Sequence, residues 1–142
     1  MTALSSETLH ASCVAIQGRA VLIAGRSGTG KSDLALRLID RGAVLVSDDY
    51  TLLRRAGSTL LASPPVTIAG RIEVRGIGIV EMAHVADVPV ALLVTIDPAP
   101  ERLPADLRSR SIAGIDIPCT ALASLEPSAP IKVELALARQ KP

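Results

Sequence analysis

The apolar positions in the first third of the chain predict a buried strand followed by an amphipathic helix. Residues 20–24 form an unbroken aliphatic run, as in a strand that is covered on both faces. Further along, apolar side chains recur at the spacing of one helix face, at Leu34, Ala35, Leu38 and Ile39. Arg41 and Gly42 then indicate the end of this helix. The order of strand, polar segment and helix is typical of a β–α unit.

The rest of the chain predicts more strands than helices. Short apolar or alternating runs bounded by turn residues predict strands at residues 43–46, 52–55, 59–62, 71–75 and 88–96. The second and third would form a hairpin, and the fourth lies in a loosely alternating stretch, residues 66–80. Residues 97–111 predict a loop with one short helix, and residues 131–139 have weak helical character. We therefore expect a mixed α/β domain, with a mixed β-sheet and flanking helices.

Composition excludes several classes of function. The 142 residues suffice for one domain, and the absence of Phe and Trp leaves no aromatic surface for stacking nucleic-acid bases. Fifteen basic against fourteen acidic residues give a net charge of +1, which indicates neither a nucleic-acid nor a membrane partner. Residues 88–96 are about half the ~20 residues of a membrane span. Cys13 and Cys119 lack metal-ligand spacing, and no secretory signal is present, so we expect a cytoplasmic protein.

The polar segment between the first strand and the first helix has the pattern of a phosphate-binding loop. Its residues are Gly25, Arg26, Ser27, Gly28, Thr29, Gly30, Lys31 and Ser32. The three glycines permit backbone angles closed to other residues, so that successive N–H groups can turn toward a phosphate. Lys31 is expected to reach the β- and γ-phosphates, and the Ser32 hydroxyl to ligate Mg²⁺. The loop therefore predicts a nucleoside triphosphate with Mg²⁺.

Two acids, Asp48 and Asp49, follow the strand predicted at residues 43–46. A hydroxyl acceptor becomes a good nucleophile when a carboxylate accepts its proton, and Asp49 is a candidate for this base. Asp48 would then be a partner on the metal side. Alternation along a strand sends the two side chains to opposite sides, so that only one of them would face the phosphates. Asp48 could instead cap the next turn.

Several of these segments together resemble the catalytic domain of the bacterial HPr kinase/phosphorylase family. The resemblance runs from His10 to about Arg102 and includes the phosphate loop, residues 45–49, and the Ile-Glu-Val-Arg-Gly-Ile-Gly-Ile signature at residues 72–79. It implies an enzyme that uses ATP and Mg²⁺ to phosphorylate a serine of HPr, a small carrier of the phosphotransferase system, and that can reverse this with inorganic phosphate. It also implies a P-loop kinase fold similar to phosphoenolpyruvate carboxykinase, and a homo-oligomer, a hexamer.

The resemblance assigns roles to individual positions. Lys31 matches the phosphate-binding lysine, and Ser32 and Glu73 match the Mg²⁺ ligands. The proton-accepting acid corresponds to Asp49, with Asp48 beside it. Two further active-site residues of the family correspond to His10 and Arg102.

Two of these positions have another interpretation from the residues alone. His10, so near the N-terminus, would be a solvated surface residue. Glu73 could form an ion pair with Arg71 or Arg75 instead of binding a metal.

The chain departs from the family pattern in two places. Members typically carry an N-terminal domain, whereas nine residues precede His10, so we expect a single catalytic domain over residues 1–142, as in short proteobacterial members. The longer enzymes have a basic late loop that serves dephosphorylation, and the corresponding residues 117–130 contain no Lys or Arg. Because attack by inorganic phosphate needs positive charge, we expect weak or absent phosphorylase activity.

Two other functions remain open. A small-molecule kinase would need an arginine-rich lid, which Arg102, Arg108 and Arg110 could form. A non-catalytic ATP-binding sensor would keep nucleotide binding without needing Asp49. A guanine-nucleotide switch is excluded, since its base-reading motif requires Asn and the chain has none.

Overall fold

Strands outnumber helices in the computed structural model, which describes residues 5–104 and 108–141. The strands are β1 (Ser6–Leu9), β2 (Ala11–Ile16), β3 (Arg19–Ala24), β4 (Val44–Ser47), β5 (Thr51–Ala56), β6 (Thr59–Ser63), β7 (Arg71–Val74), β8 (Gly78–Glu81), β9 (Val88–Ile96), β10 (Arg108–Ile112) and β11 (Ile115–Leu122). The helices are α1 (Lys31–Asp40) and α2 (Ala129–Ala138), with a 3-10 turn at Val66–Ile68. This architecture confirms the predicted mixed α/β class.

Nine of the strands form one mixed sheet. Its order is β1-β5-β6-β9-β3-β2-β4, with β11 on β9 and β10 on β11. Strand β9 runs parallel to β3 and β11, and the other pairs in this sheet are antiparallel. One edge of β9 is shared, because its first residues pair with β6 and its later ones with β11. Strands β7 and β8 form a separate hairpin.

Strand β3 is buried on both faces, as the aliphatic run predicted. Leu22 packs into a core built from the strands, which includes Leu53 and Leu93. Its neighbour Ile23 faces the other way, into a core that both helices cover. Alternate residues of a strand point to opposite faces, so a strand between two such cores needs an apolar residue at every position.

The antiparallel ladder between the β1–β2 and β4–β5 segments is interrupted at its middle. Leu9 pairs with Thr51 and Cys13 pairs with Ser47, so residues 10–12 lie opposite residues 48–50. Strand β4 runs in the same direction as β3, because both are antiparallel to β2. The ends of β3 and β4 therefore lie at one edge of the sheet, and the interruption lies there too.

Some predictions about local structure were wrong. Arg108–Ile112, expected within a loop, is a strand, because it pairs with β11 across a turn at Ala113 and Gly114, both with positive φ. No helix lies in residues 97–104, and residues 105–107 are outside the described residues. Residues 117–122, compared with a late loop, belong to β11. Arg75 lies in the turn after β7 instead of on the strand face with Arg71 and Glu73.

Candidate functional site

The phosphate loop connects β3 to α1 and is closed on itself by Lys31. The Lys31 side chain is 6% exposed, and its ammonium group donates to the carbonyl oxygens of Gly25 at 2.9 Å and Arg26 at 3.1 Å. The Thr29 hydroxyl also donates to the Arg26 oxygen, at 2.6 Å. The loop thus holds a cation beside the N-terminus of a helix, which is the arrangement that proteins use for phosphate groups.

The three glycines of the loop serve two different purposes. Gly28 and Gly30 have φ of +80° and +94°, the left-handed region that other residues rarely adopt. Gly25 is not among the residues with positive φ, which corrects the expectation from the sequence. Its purpose is space, since a Cβ there would lie 2.8 Å from Thr29 Oγ1 and 3.2 Å from Ile96 Cβ.

The segment after β11 rests against the phosphate loop. The Ser124 hydroxyl donates to the Thr29 carbonyl oxygen at 2.6 Å. From α1, the Arg37 guanidinium donates to the carbonyl oxygens of Ser124 and of Glu126, the latter at 3.1 Å. This segment and the loop are therefore joined by direct contact and also through α1.

Replacing Gly30 by alanine should lower the free energy of unfolding by about 1–3 kcal/mol, through backbone strain and a clash. A Cβ at Gly30 would lie 3.0 Å from Ser124 Oγ, which is itself bound to the loop. Gly28→Ala is the matched control, because Gly28 has a similar φ but its Cβ would meet nothing within 4 Å. Urea denaturation measures both variants. Equal losses of stability would show that the Ser124 contact adds nothing.

Asp48 is the centre of the hydrogen bonds at this edge of the sheet. Its carboxylate is buried, and Oδ1 accepts from the hydroxyls of Ser32 at 2.6 Å and Ser12 at 2.9 Å. The other oxygen, Oδ2, accepts from the backbone N–H of Glu73 at 3.0 Å. Asp48 therefore joins the phosphate loop to β2 and β7. These bonds are made to other elements, so the Asp48 carboxylate does not cap the next turn, which was the alternative considered from the sequence.

Asp49 lies beside Asp48 but faces solvent. Its side chain is 56% exposed, and Oδ1 accepts from His10 Nε2 at 2.8 Å. The imidazole of His10 stacks on the Tyr50 ring, with centroids 4.9 Å apart. Asp49 has φ of +68°, so the regular alternation of a strand does not apply at this position. The structure thus brings His10 together with Asp49, next to the buried Asp48.

Glu73 and Arg102 are placed differently from each other. Glu73 is exposed on β7 and is tied to the site through its backbone N–H. Arg71 forms its ion pair with Glu81 at 3.7 Å. Among the described residues, neither Arg71 nor Arg75 forms an ion pair with Glu73. Arg102 is exposed on the segment that follows β9, and no hydrogen bond joins it to the described site residues. That segment leaves the sheet at the same edge as the phosphate loop, because β9 is parallel to β3.

The proposed arginine lid of a small-molecule kinase does not form as a unit. Arg108 and Arg110 lie on β10, where they pair in register with Cys119 and Ile117 of β11. The Arg108 guanidinium donates to Glu101 at 2.8 Å. Two of the three arginines are therefore fixed in a sheet, which removes the main structural support for that alternative.

The described residues fit a magnesium ion that is bound mainly by substrate phosphates. No group of three His, Cys, Asp or Glu side chains that could hold a metal is present in the described part of the chain. Magnesium is commonly bound by one or two protein carboxylates and completes its coordination with phosphates and water. The adjacent oxygens of Ser32 and Asp48 are hard ligands of the right kind.

Within residues 5–104 and 108–141, the two grooves and the two thiols described next do not indicate a second reaction centre. Grooves of about 540 Å³ and 430 Å³ are lined by residues such as Val44 and Val88, and Leu52 and Leu61, all outside the phosphate loop. Cys13 and Cys119 are free, and burial raises the pKa of both thiols, which keeps them protonated. Among the described helices, neither has the length and apolar character needed to cross a membrane.

The sequence prediction missed Ser12 and Ser124, which both contact predicted site residues. Ser12 is a single hydroxyl in an otherwise apolar strand, and that isolated polar position was the available signal. Ser124 lies nearly one hundred residues from the loop it contacts, so no local pattern could have indicated it.

Comparison with known proteins places this geometry in a family. The family model for the HPr serine kinase C-terminal domain matches residues 2–127. An HPr kinase/phosphorylase of Clostridium botulinum strain Eklund 17B is 45% identical over 82 residues, which are 57% of this chain and 27% of that protein. One from Chlorobium phaeovibrioides is 36% identical over 127 residues, covering 80% of this chain and 38% of that protein. The chain thus spans well under half the length of these relatives.

A solved structure agrees over nearly the whole chain. The Hpr(Ser) kinase/phosphatase from Coxiella burnetii superposes with a TM-score of 0.80 at 34% identity, covering 94% of each chain. The family model, the relatives and this fold all support the resemblance drawn from the phosphate loop and residues 72–79. The chain belongs to the HPr serine kinase C-terminal domain family.

Proposed function

We propose that this domain transfers the γ-phosphoryl group of ATP, with Mg²⁺, to a serine of an HPr-type phosphocarrier protein. The observation that carries the proposal is the 2.6 Å hydrogen bond from Ser32 to Asp48, which joins the phosphate loop to an acid pair. Asp49, the second acid of the pair, is exposed where a protein acceptor can reach it. A loop for phosphate, oxygen ligands for a metal and an accessible carboxylate are the parts that phosphoryl transfer requires.

The phosphate loop and Lys31 would hold the triphosphate. The Lys31 ammonium now donates to the loop's own carbonyl oxygens, and phosphate oxygens would be stronger acceptors because they are charged. Ser32, Asp48 and Glu73 would supply the protein oxygens for Mg²⁺, which neutralises charge on the phosphates when bound. We assign His10 and Arg102 to the same active site, His10 because it binds Asp49 and Arg102 because of the family resemblance.

Asp49 would act as the general base. His10 occupies Oδ1, and Oδ2 accepts no hydrogen bond from the described residues, so it is available to a serine hydroxyl. The serine proton passes to Oδ2 while the serine oxygen forms a bond to the γ-phosphorus. The bond between the γ-phosphorus and the bridging oxygen breaks, and ADP leaves with that oxygen. The imidazole of His10 would hold the carboxylate in place during this step.

The test is transfer of labelled γ-phosphate from ATP with Mg²⁺ to purified HPr-type carriers. We expect label on the carrier, and none when its acceptor serine is replaced by alanine. ATP binding without labelled carrier would instead support a sensor or another acceptor. The hexamer implied by the resemblance stays a prediction, which sedimentation of the purified domain would check.

We further propose that the reverse reaction is weak or absent. Residues 117–130 carry no basic side chain, and the nearby guanidinium of Arg37 is bound to the carbonyl oxygens of Ser124 and Glu126. Inorganic phosphate would therefore find little positive charge with which to approach phosphoserine. Release of phosphate from phosphoserine-HPr, measured with inorganic phosphate in excess, should be far slower than the forward transfer. Equal rates in the two directions would refute this proposal.

A further inference from the structure

The hydroxyl of Ser12 forms hydrogen bonds with both acids of the candidate site, Asp48 and Asp49. It is fully buried on β2, and its Oγ donates to Asp48 Oδ1 at 2.9 Å. The same oxygen accepts from the backbone N–H of Asp49 at 3.1 Å. A hydroxyl has one proton to donate and two lone pairs, so these two bonds use its only proton and one of its lone pairs.

The bond to Asp48 completes a set of three donors around one carboxylate. Ser32 and Ser12 donate to Oδ1, and the Glu73 N–H donates to Oδ2. These donors come from three different elements, and together they fix the direction in which the carboxylate points. Without Ser12, Oδ1 would keep Ser32 alone, and the Asp48 side chain would lose its anchor on β2.

The bond to Asp49 replaces a missing backbone partner. The ladder is interrupted where residues 10–12 lie opposite residues 48–50, so the Asp49 N–H has no partner from a regular strand pair. Asp49 is also in the left-handed region, with φ of +68°, which costs free energy for a residue with a side chain. The Ser12 oxygen satisfies this N–H and thereby stabilises the backbone conformation that directs the Asp49 side chain to His10.

We propose that Ser12 is a positioning residue for phosphoryl transfer, which holds Asp48 toward the phosphate loop and Asp49 toward the acceptor. The proposal rests on the proposed kinase function. Ser12 does not contact substrate in this role and transfers no proton. One hydroxyl thus fixes the directions of two adjacent carboxylates. In a regular strand these two side chains would point to opposite faces of the sheet.

The kinetic test compares the native domain with Ser12→Ala and Ser12→Cys. Misplacing a catalytic group by about 1 Å costs on the order of 10²-fold in rate, so we expect kcat to fall 10- to 100-fold. The dissociation constant for ATP should stay unchanged, because the phosphate loop is intact. Cysteine fills a similar space with a weak donor, so this variant keeps the test open if the alanine variant folds poorly.

Thr51→Val is the matched control for loss of a buried hydroxyl. Thr51 is fully buried, and its Oγ1 donates to the Ala11 carbonyl oxygen at 2.8 Å, one residue from Ser12, without contacting either acid. We expect it to lower stability while leaving kcat near the native value. A native kcat in both Ser12 variants would overturn the proposal, and so would an equal fall of kcat in Thr51→Val.

A spectroscopic readout separates failure of this proposal from failure of the kinase function. The chain has two histidines, His10 and His84, so their imidazole nitrogens are readily distinguished by NMR. Ser12→Ala should shift the ¹⁵N resonance of His10 Nε2, which contacts Asp49, and leave those of His84 in place. If native protein transfers no phosphate to HPr, the kinase function fails. An unchanged His10 signal in Ser12→Ala would overturn the positioning role in either case.

Discussion

Replacing Asp49 by asparagine should lower kcat for phosphate transfer to HPr by about 10²- to 10⁴-fold, the usual contribution of a general base. Asparagine tolerates the left-handed backbone of this position and can still accept a hydrogen bond from His10. It cannot take the serine proton. Initial rates with labelled ATP measure the loss, and calorimetric titration should show that ATP still binds.

Asp87→Asn is a closely matched control for this substitution. Asp87 also has positive φ, +53°, and its side chain is 64% exposed, similar to that of Asp49. It precedes β9, at the end of the sheet opposite the phosphate loop. The control should transfer phosphate at the native rate. Native turnover in Asp49→Asn would exclude this residue as the base.

Lys31→Ala should strongly lower kcat for phosphate transfer and weaken ATP binding as well. The change removes a cation that stabilises the transferring phosphoryl group, and loss of one such contact commonly costs about 10²- to 10³-fold in kcat. It also leaves the Gly25 carbonyl oxygen without its Lys31 donor and the Arg26 oxygen with donors from Thr29 alone, which loosens the loop itself. The measurements are again initial rates and the dissociation constant for ATP.

Lys132→Ala removes the same charge from the surface of α2, where Lys132 pairs with Glu126 at 3.3 Å. Surface ion pairs of this kind contribute little to stability, so the control should behave as the native protein. The two lysine variants and Asp49→Asn together give a pattern in which only Lys31 affects both binding and turnover. ATP affinity at the native level in Lys31→Ala would contradict the assignment of this loop as the nucleotide site.

The strand, phosphate loop and first helix could be predicted because their signals are local. The aliphatic run of β3 and the apolar face of α1 follow directly from spacing, and the glycine pattern between them is specific. The hairpin of β5 and β6 was also predicted, since the turn residues 56–58 separate its two strands. For these elements the local sequence is sufficient to predict the structure.

Other features depend on pairing between distant segments. Arg108–Ile112 is mostly polar and exposed, and becomes a strand only because β11 offers it a partner. Charged, exposed residues are common on edge strands, so the polar composition obscured this one. The side chains of adjacent acids in a regular strand would point to opposite faces. At Asp48 and Asp49 the ladder is interrupted, and this interruption arises from the register of β1 with β5 and of β2 with β4, which the local sequence does not reveal.

The contacts of Ser124 and Arg37 join the phosphate loop to a segment 95 residues further along the chain. The free energy of ordering the loop therefore depends in part on whether that segment is ordered. Thermodynamic linkage is reciprocal. A molecule that binds and restrains residues 123–126 therefore changes the affinity of the loop for phosphate, and bound phosphate changes the affinity for that molecule by the same factor. The late segment has no basic side chain to offer a phosphate, yet through these bonds it can still set how tightly one is held.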